Sequence, residues 1–176
     1  MFSSYKLRCH LFYAIIVQWT FGKKLVHQNR PHCLWMVFYV RRKPMNRRDQ
    51  REQAFILIFE RTINQNTIAE IIQNAGECRE WMLSDFAEKI ATGAQEKEAI
   101  IDEKIEQNIH TWKMNRLSRV SFALLRLAIY EMMFETEIPI SVSINEAVNL
   151  AKKYGNSEDA PFINGVLGSV AKELNF

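Results

Sequence analysis

The stretch MNRRDQREQAFILIFE, residues 45–60, places three arginines within two turns of a predicted helix. Arg47 and Arg48 fall in its first turn, where the helix dipole is positive, so each placement is unfavourable by about 0.3–1 kcal/mol at low salt. Arg51 lies one turn beyond Arg47 and is expected on the same side. Guanidinium groups match phosphate oxygens in charge and in donor geometry. The spacing therefore indicates phosphate recognition, although a solvated helix start explains it equally well.

The charge of the surrounding chain sets these arginines apart. Eight of the 23 basic residues and none of the 20 acidic ones precede Met45, so 15 basic and 20 acidic residues follow, with a net charge of −5. Residues 1–44 also hold nine of the 20 aromatic residues and show no persistent apolar period. We therefore expect residues 1–44 to lie outside the fold, as a disordered leader or as upstream sequence translated in error. Met45 is then the natural start of a single domain, residues 45–176.

Other chemistry-bearing motifs are lacking. Five potential zinc ligands lie in the leader without the paired C-x2-C spacing that predicts a zinc site: Cys9, His10, His27, His32 and Cys33. After Met45 only Cys78 and His110 remain of these residue types, so no disulfide framework is expected and a reducing cytoplasm is the predicted location. No phosphate-binding glycine loop or G-x-S-x-G motif occurs. We predict no metal, no cofactor and no enzymatic activity.

Apolar periodicity predicts an all-α fold of seven helices and no strand. The predicted helices cover residues 46–61, 67–76, 80–91, 96–112, 118–134, 143–155 and 161–174. Asn46 is the predicted cap of the first helix, and Gly93 the predicted stop of the third. The pattern S-x-x-E at Ser143 and Glu146 predicts a capping box at the start of the sixth.

The fifth predicted helix contains SFALLRLAIYEMMF, the most hydrophobic run of the chain. Arg126 and Glu131 interrupt this run, so it is predicted to be a central core helix rather than a membrane span. A buried guanidinium without a partner would cost several kcal/mol. We therefore expect Arg126 to form a structural ion pair rather than to contact a ligand.

Two parts of the chain resemble the NusB family of transcription antitermination factors. They are RRDQREQAF and LLRLAIYEMMFETEIPISVSINEAVNLAKKYGNSEDAPFINGVLGSVAKEL. The family motifs are R-R-x-x-R-E-x-A at the start, then L-R-x-A-x-Y-E, P-x-x-V-x-I-N-E-A-x-x-L-A-K and F-x-N-G-V-L. The resemblance spans Met45 to Phe176 and leaves the leader outside. It implies two packed three-helix bundles with an additional helix.

The resemblance also implies a function. Family members bind the boxA element of ribosomal RNA transcripts together with ribosomal protein NusE, and with other Nus factors they help RNA polymerase to read through terminators. Some members form homodimers. The arginine motif of the family falls on Arg47, Arg48 and Arg51, and Gln53 on the same helix is a further RNA-binding candidate. Three arginine contacts would give a salt slope of about −2 for single-stranded RNA.

Further positions match the family motifs in the last third. Glu158 and Asp159 match a segment near the RNA and partner surface, although Pro161 stands where a lysine is expected. The firm signature matches are Arg126, Glu131, Asn145, Glu146, Asn164 and Gly165. Of these, Asn145 and Glu146 are expected to organise a helix start, and Asn164 and Gly165 to allow close helix packing or a partner contact.

Two other functions remain compatible with the sequence. A similar helical domain precedes the methyltransferase in ribosomal RNA cytosine methyltransferases, where it is an RNA-binding accessory. Alternatively, the chain is a protein-binding helical adaptor whose arginines are an ordinary solvated surface. Salt-dependent RNA binding that is lost on mutating Arg47, Arg48 and Arg51 would separate RNA binding from the adaptor function.

Overall fold

The computed structural model describes residues 45–78, 82–109 and 117–174, which form seven α-helices and no strand. In chain order the helices are α1 (Arg47–Asn64), α2 (Ile68–Cys78), α3 (Asp85–Glu96), α4 (Glu98–Asn108), α5 (Arg119–Phe134), α6 (Ile140–Tyr154) and α7 (Asp159–Glu173). The predicted all-α fold is confirmed. The leader with its five potential zinc ligands, His110, and parts of the third and fourth predicted helices lie outside the described ranges.

Helix α5 is the helix against which most others pack. It contacts α1, α3, α4, α6 and α7, and every residue from Ala123 to Met132 is buried. Helices α1, α2 and α3 also pack against one another, as do α6 and α7, while α4 lies against α5 and α7. This grouping is that of two three-helix bundles with an additional helix, and α5 joins them.

Side chains satisfy the free backbone N–H groups at four helix starts. Asn46, Ser84 and Ser118 each accept a hydrogen bond from the backbone N–H three residues on, at α1, α3 and α5. At α2, Thr67 Oγ1 accepts from Glu70 N at 3.2 Å and Thr67 N donates to Glu70 Oε2 at 2.8 Å. This reciprocal pair is a capping box.

The capping box predicted at Ser143 and Glu146 is wrong. Helix α6 begins at Ile140 behind Pro139, so Ser143 already lies within the helix. Its hydroxyl instead donates to Glu131 Oε2 at 2.8 Å. Pro139 is the N-cap residue, and its carbonyl oxygen accepts from Val142 N at 2.8 Å and from Ser143 N at 3.3 Å.

Gly93 does not end α3, as was predicted, but lies inside it. A Cβ atom at this position would overlap the phenol ring of Tyr130 in α5. The absence of a side chain at Gly93 therefore lets α3 and α5 approach closely. The helix continues to Glu96, five residues beyond the predicted end at Ala91.

The expected pairing of Arg126 is confirmed. Its Nε and Nη2 donate to the two carboxylate oxygens of Asp102 at 2.8 and 2.6 Å, and Nη2 also lies 2.7 Å from Glu98 Oε1. Glu98 in turn pairs with Arg61 of α1 at 2.5 Å. The network joins α1, α4 and α5, and it neutralises a guanidinium that could not be buried alone.

Candidate nucleic-acid interface

Arg47 lies exposed in the first turn of α1, on top of an aromatic ring from α3. Its guanidinium carbon is 4.4 Å from the ring centroid of Phe86, and its Nη1 donates to Gln50 Oε1 at 3.1 Å. A cation over an aromatic face is attracted by the ring quadrupole. These two contacts hold the guanidinium in place at the surface, without an ion pair to any carboxylate of the described residues.

Arg48 points to a different neighbour. Its Nε donates to Glu146 Oε2 of α6 at 3.2 Å, and its side chain remains 60% exposed while that of Glu146 is 15% exposed. An exposed pair of this kind contributes only about 0–1 kcal/mol. A phosphate group can therefore compete with Glu146 for Arg48 at small cost. Glu146 had been expected to organise a helix start, but its carboxylate contacts α1 instead.

Arg51 does not join the other two arginines at the surface. It is 5% exposed, and its Nε lies 2.7 and 3.1 Å from the two carboxylate oxygens of Glu131 in α5. Glu131, only 1% exposed, also accepts the hydroxyl hydrogen bond of Ser143 in α6. The predicted exposed patch of three arginines is thus a patch of two, because Arg51 serves to join α1, α5 and α6.

Gln53 is also turned inward. Its Nε2 donates to the carbonyl oxygen of Met82 at 3.0 Å, and its Oε1 accepts from Ser84 N at 3.1 Å. One amide thereby fixes the backbone that leads into α3, the helix that carries Phe86. Met82 itself is 78% exposed, next to these two hydrogen bonds.

A second group of polar side chains joins α1 to α6, one helical turn after Arg48. Both carboxylate oxygens of Glu52 lie 2.7 Å from Lys153 Nζ, and Glu52 Oε1 also accepts a hydrogen bond from the Tyr154 hydroxyl. Burial, and then this hydrogen bond, raise the pKa of Tyr154 well above its usual range. The phenol therefore keeps the proton that it donates to Glu52.

Of the acidic pair at the start of α7, one residue is exposed and the other is hydrogen-bonded within the protein. Glu158 is exposed and its side chain makes no capping hydrogen bond. Asp159 Oδ1 accepts from Ser118 Oγ at 3.0 Å and from Ser121 Oγ at 2.5 Å, and its Oδ2 accepts from Asn156 N at 2.7 Å. Asp159 therefore holds the start of α5 against the start of α7, which leaves Glu158 as the surface member.

The remaining signature residues lie on helix surfaces. Asn145 is exposed within α6, away from the helix start that it was expected to organise. Asn164 and Gly165 are exposed on α7, and a Cβ atom built at Gly165 would meet nothing within 4 Å. The expected close packing of α7 at Gly165 is therefore wrong within the described chain. A partner contact at this surface stays a prediction.

Local sequence reasoning missed the residues that hold the arginines in place. None of Phe86, Glu52, Lys153 and Tyr154 had been predicted to take part in the site. No group of three metal-ligating side chains occurs in the described ranges. None of the helices described is long and apolar enough to cross a membrane.

Comparison with known proteins places this arrangement in a family. Residues 48–172 match the model of the NusB family. The transcription antitermination protein NusB of Clostridium novyi (strain NT) is 42% identical over 132 residues, which cover 73% of this chain and 99% of that protein. Its counterpart in Clostridium botulinum (strain Kyoto / Type A2) is 42% identical over 142 residues, with 72% of this chain and 99% of that protein covered.

Solved structures show the same similarity. T. maritima NusB superposes with a TM-score of 0.65 at 34% identity, covering 74% of this chain and 94% of that one. A chain in the crystal structure of the antitermination factors NusB and NusE with dsRNA gives a TM-score of 0.64 at 25% identity, covering 72% and 96%. The extent of the sequence match and the shared all-α architecture agree: this chain belongs to the NusB family.

Proposed function

We propose that this protein is a transcription antitermination factor that binds the boxA element of ribosomal RNA transcripts. It does so together with ribosomal protein NusE, and the complex promotes read-through by RNA polymerase with other Nus factors in the cytoplasm. Family membership over residues 48–172 supports the proposal, as do relatives named transcription antitermination protein NusB. The role is one of binding rather than catalysis, and it is assigned to residues 45–176.

The observation that carries the RNA-binding part is the exposure of both Arg47 and Arg48 in the first turn of α1, on a domain whose net charge is −5. Both are exposed, Arg47 has no carboxylate partner in the described chain, and Arg48 has one weak partner. Two guanidiniums at one helix end can each neutralise a phosphate. Their joint contribution to the salt slope is about −1.4 for single-stranded RNA, which is modest and suits a protein that binds with a partner.

Arg51 and Gln53 contribute indirectly in this proposal. Arg51 fixes the first turns of α1 to α5 through Glu131, and Gln53 fixes the segment that leads into α3. Both therefore position the surface that carries Arg47 and Phe86 without touching RNA. Glu158, exposed at the start of α7, is proposed to face the RNA or the partner protein.

The test is a binding measurement with the full chain and a labelled RNA that contains a boxA element, with and without NusE, at two salt concentrations. An Arg47→Ala/Arg48→Ala variant is compared with Lys97→Ala/Lys172→Ala. The control also removes two exposed charges, one between α3 and α4 and one on α7. We expect NusE to strengthen binding, and only the arginine variant to lose affinity and salt dependence.

Equal binding by both variants would refute the assignment of the arginines to the RNA surface. No RNA binding by the wild-type protein in the presence of NusE would refute the antitermination function, and would favour a helical adaptor that binds only proteins. Binding to ribosomal RNA without any effect of NusE would favour the accessory-domain function.

A further inference from the structure

The two exposed arginines of α1 present different chemical groups to solvent. Arg48 has its Nε edge turned to the carboxylate of Glu146, as in an ordinary surface ion pair. Arg47 has its guanidinium carbon 4.4 Å from the Phe86 ring centroid and its Nη1 bound to Gln50. The side of Arg47 that meets Phe86 is covered and one of its N–H groups is taken, so the opposite side of the guanidinium remains open to a ligand.

The support beneath Arg47 is firm. Phe86 is partly buried and packs against the hydrophobic core, so its ring cannot turn away freely. The backbone ahead of Phe86 is held by Gln53, which bonds to both Met82 and Ser84. Arg51 in the next turn of α1 lies 5.8 Å from the same ring and is itself fixed by Glu131. The surface is thus organised before any ligand arrives.

We propose that a base of single-stranded RNA stacks on the solvent face of the Arg47 guanidinium, with Phe86 beneath it as a positioning residue. Unpaired bases stack on aromatic rings and on guanidinium planes, and a guanidinium that is already held by a ring and a hydrogen bond loses little freedom when a base covers it. Arg48 contacts a phosphate alone, whereas Arg47 neutralises a phosphate and also supports a base. This inference rests on the proposed RNA-binding function and divides its labour between Arg47 and Arg48.

Conservative substitutions separate stacking from charge. Lysine keeps the positive charge of arginine but has no plane, so Arg47→Lys should weaken binding of boxA RNA about tenfold, while the salt slope stays unchanged. Arg119→Lys, the same change at an exposed arginine at the start of α5, is the matched control and should bind within about twofold of wild type. Phe86→Leu should reproduce the loss of Arg47→Lys, and Phe86→Tyr, which retains the ring, should restore binding.

Abasic nucleotides then locate the base. A series of boxA RNAs is prepared in which one base at a time is removed and the backbone is kept, and each is titrated with full-length wild type and Arg47→Lys. One abasic position should weaken wild-type binding by the same factor as Arg47→Lys does, and should cost the variant nothing more. Every other abasic position should weaken both proteins equally.

Thermal unfolding followed by circular dichroism shows whether Phe86→Leu is folded. Arg47→Lys tests stacking at an exposed position, where the substitution leaves the core unchanged. Wild-type binding of RNA with no difference between Arg47→Lys and Arg119→Lys would overturn stacking and leave the proposed function intact. Losses that add at every abasic position would also overturn it. If the wild type binds no RNA in the presence of NusE, the proposed function fails and stacking fails with it.

Discussion

The carboxylate of Glu131 and the guanidinium of Arg51 lie 2.7 Å apart in the interior, at side-chain exposures of 1% and 6%. Removing one member of a buried pair leaves the other charged and without its partner, which costs about 3–5 kcal/mol. We therefore expect Arg51→Ala and Glu131→Ala each to lower the free energy of unfolding by this amount in urea denaturation. The double variant Arg51→Met/Glu131→Leu should recover most of the loss. Single variants as stable as wild type would show that the pair is not formed.

On the proposed RNA surface Glu146 is a competitor for Arg48, because it already accepts a hydrogen bond from this residue. Replacing it by glutamine removes one carboxylate from the surface and should raise the affinity for boxA RNA by about 1.4- to 5-fold, which corresponds to the energy of an exposed ion pair. Glu106→Gln, an equal change of charge at an exposed position of α4, is the control and should have a smaller effect. Equal gains in the two variants would attribute the effect to net charge alone.

The capping box of α2 should make stability depend on pH in the acid range. The backbone N–H of Thr67, and then its hydroxyl, lower the pKa of Glu70 below 4.5. A carboxyl whose pKa is lowered in the folded state stabilises it above the unfolded pKa, and this contribution is lost as the pH falls through the folded pKa. Glu70→Ala should therefore unfold at lower urea than wild type at pH 7, and the difference should narrow below about pH 4.5. A difference that is constant from pH 7 to pH 3 would contradict this.

Two glycines in helix interiors should respond in opposite ways to alanine. At Gly93 a Cβ atom would overlap Tyr130, so Gly93→Ala should destabilise the protein by about 1–3 kcal/mol. At Gly165 nothing lies within 4 Å, so Gly165→Ala should stabilise it by about 0.5–1 kcal/mol through helix propensity. Thermal unfolding of the two variants, which differ from wild type by the same added methyl group, tests both expectations.

The C-cap residue of α1, Gln65, has a backbone conformation that favours glycine. Gln65 has φ 58° in the left-handed region, and its N–H donates to Arg61 O at 2.8 Å. Because a Cβ atom is disfavoured there, Gln65→Gly should raise the free energy of unfolding by about 0.5–1 kcal/mol. Asn66→Gly, at the next position of the connection to α2, is the control and should not stabilise the protein, since Gln65 is the one non-glycine residue of the described chain with a positive φ. Equal effects of the two substitutions in urea denaturation would contradict this explanation.

Local patterns predicted helices well and their ends less well. The seven helices follow from apolar periodicity, and Asn46 and Ser118 cap the helices they were expected to open. The patterns at Thr67 and Ser143 have the same form, with Glu three residues on, yet only the first opens a helix. Pro139 has already started α6 when the chain reaches Ser143, so that hydroxyl is free to bind Glu131.

The arginines could be found from sequence, but not their separate roles. Arg51 and its partner Glu131 are 80 positions apart, and only the packing of α1 on α5 brings them together. The same is true of Arg47 and Phe86, on α1 and α3. Spacing along one helix indicates which residues share a side, whereas burial depends on what the other helices place against that side.

Helix α5 belongs to both groups of helices, and this has a consequence for cooperativity. If α6 and α7 detached, the apolar faces of α5 that they cover would meet water. The hydrogen bond from Ser143 to Glu131 would also be lost, and Glu131 is the partner of Arg51 near the start of α1. We expect a single unfolding transition with coincident probes. In hydrogen exchange, the slowest amides should be those of α5, and they should open together with the first turns of α1.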